Sequence, residues 1–287
     1  MEGEIPQGLL SPPVLALLGL CIGSFLNVVI HRLPQMLERG WKIDSAEMLG
    51  LDPAKTAALA EPVTLSRPRS RCPSCGHAIA WHENIPVLSY LRLGGKCAAC
   101  KAPISPRYPA FEIITALLFA GLAWRFGAQV STLAWCGFAA VLVALAGIDW
   151  DTTLLPDSLT LPLLWAGLIA SAAGQTVPLS AAVWGAVAGY LSLWSVYWLF
   201  KLATGKEGMG HGDFKLLAAL GAWLGVSMVL PVVLGASVIG AIVGIGMKLA
   251  STLREGRYVP FGPFLAGSGL AVLFIGAPTI LDWLGWA

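Results

Sequence analysis

The sequence predicts an all-α polytopic membrane protein of about eight transmembrane helices with a small cytoplasmic insert. Three observations predict it. The chain is 56% hydrophobic and only 12% charged, and it carries 12 Trp, a composition suited to a bilayer. Apolar runs of about 20 residues, the length that spans a bilayer as helix, fall at 8–30, 109–125, 131–148, 158–174, 179–200, 214–229, 231–247 and 263–282. The basic residues gather on one side of the membrane those runs imply.

The first run follows acidic Glu2 and Glu4. It therefore reads as a span and not as a cleavable signal with a basic n-region. The stretch Phe214 to Met247 holds one charge, Lys215, and is too long for one span. Gly225-Val226-Ser227 and Pro231 mark a turn that divides it. With the N-terminus outside, segments 31–108, 149–157, 201–213 and 248–262 face the cytoplasm. Segment 31–108 holds 11 of the 18 basic residues. Of the rest only Arg125 falls outside, so 17 of 18 obey the positive-inside rule. A single span over 214–247 would put Lys248, Arg254 and Arg257 on the wrong side, which favours eight. Trp124, Trp150, Trp198, Trp283 and Trp286 fall near helix ends, as an interfacial belt requires. Trp165, Trp184 and Trp194 sit deeper and read as packing residues.

Three divisions follow: a first transmembrane helix at 1–30, a cytoplasmic insert at 31–108, and a seven-helix membrane domain at 109–287. In the insert, Asp52 before Pro53 signals a helix start. Further on come Cys72-Pro-Ser-Cys75 and Cys97-Ala-Ala-Cys100. Turns of this kind aim backbone N–H groups at thiolates, and two of them close a tetrahedral S₄ site. The insert thus reads as zinc-ribbon-like. A pair of disulfides is the alternative, which a reducing cytoplasm disfavours. Four thiolates leave no open position, so the Zn²⁺ is expected to be structural, with His77 and His82 as surface residues. Cys21 and Cys136 are lone thiols in apolar helices and read as small packing residues.

Acidic residues mark the candidate chemistry. Asp213 closes the run Gly208-Met-Gly-His-Gly-Asp213 at the start of an apolar stretch, and Asp149-Trp-Asp151 with Asp157 lies at another boundary. An ionisable group at membrane depth costs roughly 2.5–3.5 kcal/mol on insertion scales and is a functional candidate by default. The topology puts both clusters on the cytoplasmic face. Two carboxylates there suggest an aspartic protease: one holds a proton while the other acts as base toward a water that attacks the peptide carbonyl. Asp213 is also placed to cap the following helix, Asp157 has a stronger capping claim, and Asp151 reads as a solvated loop residue. Asp149 leads the three because it lies on the helix end.

The chain resembles the type IV prepilin peptidases, bifunctional leader peptidases and N-methyltransferases of bacterial inner membranes. The resemblance covers nearly its whole length. It rests on Gly23-Ser-Phe-Leu-Asn-Val-Val-Ile-His-Arg-Leu-Pro34, the paired CxxC turns, Glu83-Asn-Ile-Pro-Val-Leu-Ser-Tyr-Leu91 and Arg107-Tyr-Pro109. Downstream it rests on Ile148-Asp149 with Leu155-Pro-Asp157, Gly210-His-Gly-Asp-Phe-Lys215 and Pro260-Phe-Gly-Pro263. It implies a catalytic pair of Asp149 and Asp213. It also implies cleavage of type IV prepilins or type II secretion pseudopilins between Gly and Phe on the cytoplasmic side, then methylation of the new α-amine by S-adenosyl-L-methionine. The insert is implicated in methyl transfer, with Glu83, Asn84 and Gly95 as candidate cofactor-binding residues, although no strand–glycine loop–helix unit is visible. The protein is expected in the inner membrane, multi-pass, N-terminus periplasmic and active site cytoplasmic, with membrane lipid and no nucleic acid among its partners. His211 holds the variable position of the GxGD run and is expected to face solvent.

Three rivals compete. A peptidase without the methyl-transfer half would leave the Glu83 segment without a role. A transporter would place its acids near the bilayer midplane at broken helices, whereas Asp149 and Asp213 cluster at one face. A docking anchor would leave GxGD unexplained.

Overall fold

The computed structural model describes residues 7–51, 63–250 and 259–286. The readings that involve Glu2, Glu4, the helix start at Asp52-Pro53, Lys55, Arg254 and Arg257 lie outside them. Among the described residues the chain is helical, with only two isolated β-bridges. It divides into a unit at Met1–Trp124 and a unit at Arg125–Ala287.

The first unit opens with α1, Pro12–Met48. The span was expected to end at 30, but the helix runs on through Pro34. Pro34 is buried, as are Leu26, Val29 and Ile30 one or two turns before it, so packing holds the helix across a residue that cannot donate its own bond. The insert folds around two turns and one short helix, α2, Leu88–Arg92. Helix α3, Arg107–Phe126, follows. It lies tightly along α1: a Cβ at Gly19 or Gly23 would come within 2.7 Å of the Ala116 or Glu112 Cα. The Asn27 amide donates to the Tyr108 carbonyl at 3.0 Å and fixes the register.

The second unit holds α4 (Val130–Thr152), α5 (Asp157–Ala172), α6 (Leu179–Thr204), α7 (His211–Leu224), α8 (Val229–Leu249), α9 (Gly262–Ile275) and α10 (Ala277–Leu284). Its centre is α7, where every residue but His211, Gly212 and Lys215 is buried. Gly185 of α6 and Gly221 of α7 meet backbone to backbone, each filling the space a Cβ on the other would need. At the far end of α7, Trp223 donates to the Leu163 carbonyl of α5 at 2.8 Å. It packs on Trp135 and Phe138 of α4 at ring separations of 5.3 and 4.9 Å. The expected turn at Gly225 is present, with φ +85° there and a single 3₁₀ turn at Val226–Met228 leading into α8.

Among the described residues, five helices are long and apolar enough to cross a membrane: α1, α3, α4, α6 and the stretch Val226–Leu249. The pair α9 and α10, bent by 98°, makes a sixth if it counts as one span. Two of the eight expected runs are shorter than the sequence suggests, α5 with 16 residues and α7 with 14. At 1.5 Å per residue α7 is about 21 Å long, short of a hydrocarbon core of about 30 Å. Its burial among other helices removes the need to reach both faces.

The five Trp assigned to helix ends are all exposed, from 41% at Trp198 to 86% at Trp124. Trp165, Trp184 and Trp194 are exposed as well. They do not pack inside; the buried indoles are Trp135 and Trp223. Cys136 is buried as expected, but Cys21 is exposed on the surface of α1.

Candidate active site

Asp149 sits in the last turn of α4. That helix ends at Thr153, whose backbone is left-handed (φ +56°) and whose N–H donates to the Asp149 carbonyl at 2.8 Å. The side chain is 4% exposed, and its Oδ2 accepts the Gly262 N–H at 2.8 Å. Asp213 is 7% exposed and lies within electrostatic reach of Asp149. Its helix starts three residues earlier than expected, with Gly210 as cap and Asp213 in the third position. Asp213 is therefore not the cap. Its backbone N–H instead donates to the Gly210 carbonyl at 3.3 Å, as the third residue of a helix can.

Three loops bring this pair together. Leu155 lies between two of them: a Cβ at Gly212 would stand 2.6 Å from the Leu155 Cβ, and one at Gly262 would stand 3.1 Å from its Cδ2. The same Cβ at Gly262 would stand 2.5 Å from Asp149 Oδ2. Glycine is needed at both places for close approach. Sequence reasoning quoted Pro260-Phe-Gly-Pro263 without assigning it a role. A glycine just before a proline at a helix start, which frees a backbone N–H for another group, is the signal that could have found it.

The other acids are differently engaged. Asp157 is the first residue of α5 and not its cap, which is Pro156. Both of its oxygens hold Lys215 Nζ at 2.7 Å, tying α5 to α7 two residues beyond Asp213. Asp151 is half-buried on the last turn of α4, not a freely solvated loop residue. Before α7, Lys201 Nζ donates to Glu207 at 2.8 Å and to the Tyr197 hydroxyl at 3.1 Å, while Tyr197 donates to the same Glu207 oxygen. The Lys201 ammonium holds the Glu207 carboxyl below the usual carboxylate range. His211 is exposed, as expected, and its ring lies tilted against Tyr197 at 5.0 Å and Phe214 at 5.4 Å.

In the first unit, the sulfurs of Cys72, Cys75, Cys97 and Cys100 all lie within 4.8 Å of one another. The Cys72–Cys100 separation is 3.8 Å. Four thiolates about 2.3 Å from a tetrahedral ion would stand about 3.8 Å apart, so the set fits a metal. The two turns are built alike. Cys72 N–H donates to His77 O at 2.9 Å and Cys97 N–H to Ala102 O at 2.8 Å. Bridges Arg71–Ala78 and Lys96–Pro103 close them, and Gly76 and Lys101 take the same left-handed conformation. The N–H groups of Cys75 and Ser74 bring the Cys72 thiol down to about 6. Those of Cys100 and Ala99 lower Cys97.

His77 donates toward Glu83 at 3.0 Å and is not aimed at the sulfurs as a ligand. Glu83 also accepts the Ala80 N–H at 2.9 Å, and that N–H with the His77 imidazole holds its carboxyl below the ordinary range. Gly95 (φ +68°) lies under the Tyr90 hydroxyl, which would be 2.9 Å from a Cβ there, and Asn84 is exposed.

A helical, multi-pass membrane protein that buries two neighbouring aspartates and carries a four-cysteine lobe defines a narrow class. Comparison with known proteins places the chain within it. Residues 17–126 match the bacterial peptidase A24 N-terminal domain and residues 136–245 match the type IV leader peptidase family. The chain is 52% identical over 271 residues to a Pseudomonas aeruginosa protein named prepilin leader peptidase/N-methyltransferase, covering 94% of this chain and 92% of that one. A Burkholderia pseudomallei protein of the same name is 52% identical over 92% of this chain and 85% of its own. One from Aeromonas hydrophila is 53% identical over 93% and 91%. No solved structure matches significantly. The chain belongs to the type IV leader peptidase family.

Proposed function

We propose that this protein removes the leader of type IV prepilins or secretion pseudopilins at a Gly–Phe junction and then N-methylates the new N-terminus. It is a multi-pass enzyme of the bacterial inner membrane. The observation that carries the peptidase reading is the burial of Asp149 and Asp213 within reach of each other, with the Gly262 N–H on Asp149. The two carboxylates share one proton. The ionised one takes a proton from water as the oxygen adds to the scissile carbonyl carbon. The protonated one supports the developing oxyanion and gives its proton to the departing amine as the C–N bond breaks. The charge bias of the sequence supports a cytoplasmic site and a periplasmic N-terminus.

In the methyl-transfer half, S-adenosyl-L-methionine supplies the methyl group. The new α-amine titrates near pH 7.7–8.0 in a free chain, so a large share is unprotonated without a dedicated base. Glu83, Asn84 and Gly95 in the insert are the candidates for holding the donor. Two of them also serve the local scaffold, Glu83 at the Ala80 turn and Gly95 beneath Tyr90. The four cysteines hold Zn²⁺ as a structural ion, since a complete thiolate set leaves no position for substrate.

The test uses purified protein, a prepilin with a Gly–Phe junction and labelled S-adenosylmethionine. Asp149→Asn and Asp213→Asn are each expected to lower leader removal by about 10²–10⁴-fold, while methylation of a precleaved pilin is kept. Leader removal at the wild-type rate in either variant would reject that residue as catalytic.

A further inference from the structure

The insert carries an exposed apolar row: Trp81 is 79% exposed, Ile85 37%, Leu88 65% and Leu91 68%. Leu88 and Leu91 are three residues apart on α2 and share a face. Single exposed leucines are ordinary, but four large apolar residues exposed within eleven positions of a segment with a fixed depth are not. The depth is fixed by Glu112. This buried residue on α3 accepts the Val87 N–H at 2.7 Å, and its Cα is packed against Gly23 of α1, 2.7 Å from where a Cβ there would stand. Both α1 and α3 are long and apolar enough to span. Glu112 lies five residues into α3, about 7.5 Å along its axis from Arg107. Val87 is held hard at this point. It is a β-branched residue at φ +58° and ψ −47°, and Leu88 N–H reaches back to Pro86 O across it. That is the rare γ-turn, a conformation that persists only where the surroundings impose it. Leu88, the next residue, therefore starts α2 beside the first turns of a helix long and apolar enough to span, whose apolar run in the sequence begins at 109.

Charge identifies the partner. From 63 to 106 the insert carries six basic residues, Arg67, Arg69, Arg71, Arg92, Lys96 and Lys101, against one acid, Glu83. A short apolar face beside the start of such a run, surrounded by cations, is the chemistry of an interfacial anchor on anionic lipid. We propose that Trp81–Arg92 docks on the anionic headgroup layer beside α3 and so holds the four-cysteine lobe against the bilayer.

The test places a spin-labelled residue at Leu91, and separately at Lys101 as control, in the full-length protein. Each is reconstituted in phosphatidylglycerol-containing nanodiscs, in phosphatidylcholine nanodiscs and in detergent. At 91 in anionic discs, accessibility to oxygen is expected to exceed accessibility to a water-soluble nickel complex, with the reverse at 101. Removing anionic lipid, or introducing Trp81→Ser with Leu88→Asp, is expected to shift the label at 91 toward water. Equal nickel accessibility at 91 and 101 in anionic discs would overturn the proposal. So would an unchanged depth in phosphatidylcholine, and so would equal protection in detergent, which would mean a protein contact in place of lipid. Leader removal retained in the double variant shows that the chain still folds.

Discussion

At the scale of single residues, the site depends on a backbone group as much as on its acids. The Gly262 N–H on Asp149 leaves no space for a side chain. Gly262→Ala is expected to lower leader removal by about 10²-fold or more, as loss of one preorganised donor does elsewhere. Methylation of precleaved pilin, measured in the same preparation, should be unaffected. Asp157 is a different case, because its carboxylate is already committed to Lys215. The pair is half-exposed, with side chains 55% and 29% exposed, so its loss should cost less than about 1 kcal/mol. Asp157→Asn should keep leader removal within a few-fold of wild type, and the charge exchange Asp157→Lys with Lys215→Asp should recover the small loss of thermal stability. A loss as deep as that of Asp149→Asn would mean Asp157 takes part in the chemistry. This pairing was illegible beforehand, because nothing local marks two residues 58 apart as partners. The acids themselves were legible from their cost at membrane depth, whereas the register of Asp213, third in its helix and not its cap, turns on where the glycine run stops being loop.

At the scale of elements, α7 is the piece on which the second unit is assembled. Its glycine contact with α6 admits no side chain at either Gly185 or Gly221. Gly221→Ala is expected to destabilise the protein by about 1–3 kcal/mol through overpacking, measured as a lower unfolding temperature in detergent. An unchanged temperature would show that α6 and α7 separate freely. The turn at Gly225 was legible because only glycine suits φ +85°. The continuation of α1 through Pro34 was not. Charged residues after Ile30 signal an end of lipid contact, and they carry no signal of an end of helix. In the same way Val87 hides its conformation, since β-branched residues almost never take positive φ.

At the scale of the whole molecule, composition made the class plain, while the number of spans stayed beyond it. Hydropathy reads apolar runs, and it cannot tell a helix facing lipid from one, like α7, walled in by its neighbours. The four-cysteine lobe was legible from spacing alone. Its removal is a test of the whole first unit: Cys72→Ser with Cys75→Ser should abolish bound zinc and make the insert sensitive to protease, because folding energy and metal binding are one quantity in such lobes. Unchanged metal content and resistance would sink the structural-zinc assignment.

Leu155, touching both Gly212 and Gly262, has a consequence in time. A ribosome delivers Asp149 and Leu155 first, Asp213 more than fifty residues later, and Gly262 after nearly fifty more. A nascent chain halted before Gly262 holds both acids without the N–H that seats one of them or the loop that wedges against Leu155. If the two acids are the catalytic pair proposed above, hydrolytic power is withheld until the last of the three strokes of synthesis, and a half-made chain in the insertion machinery is a protease without an edge.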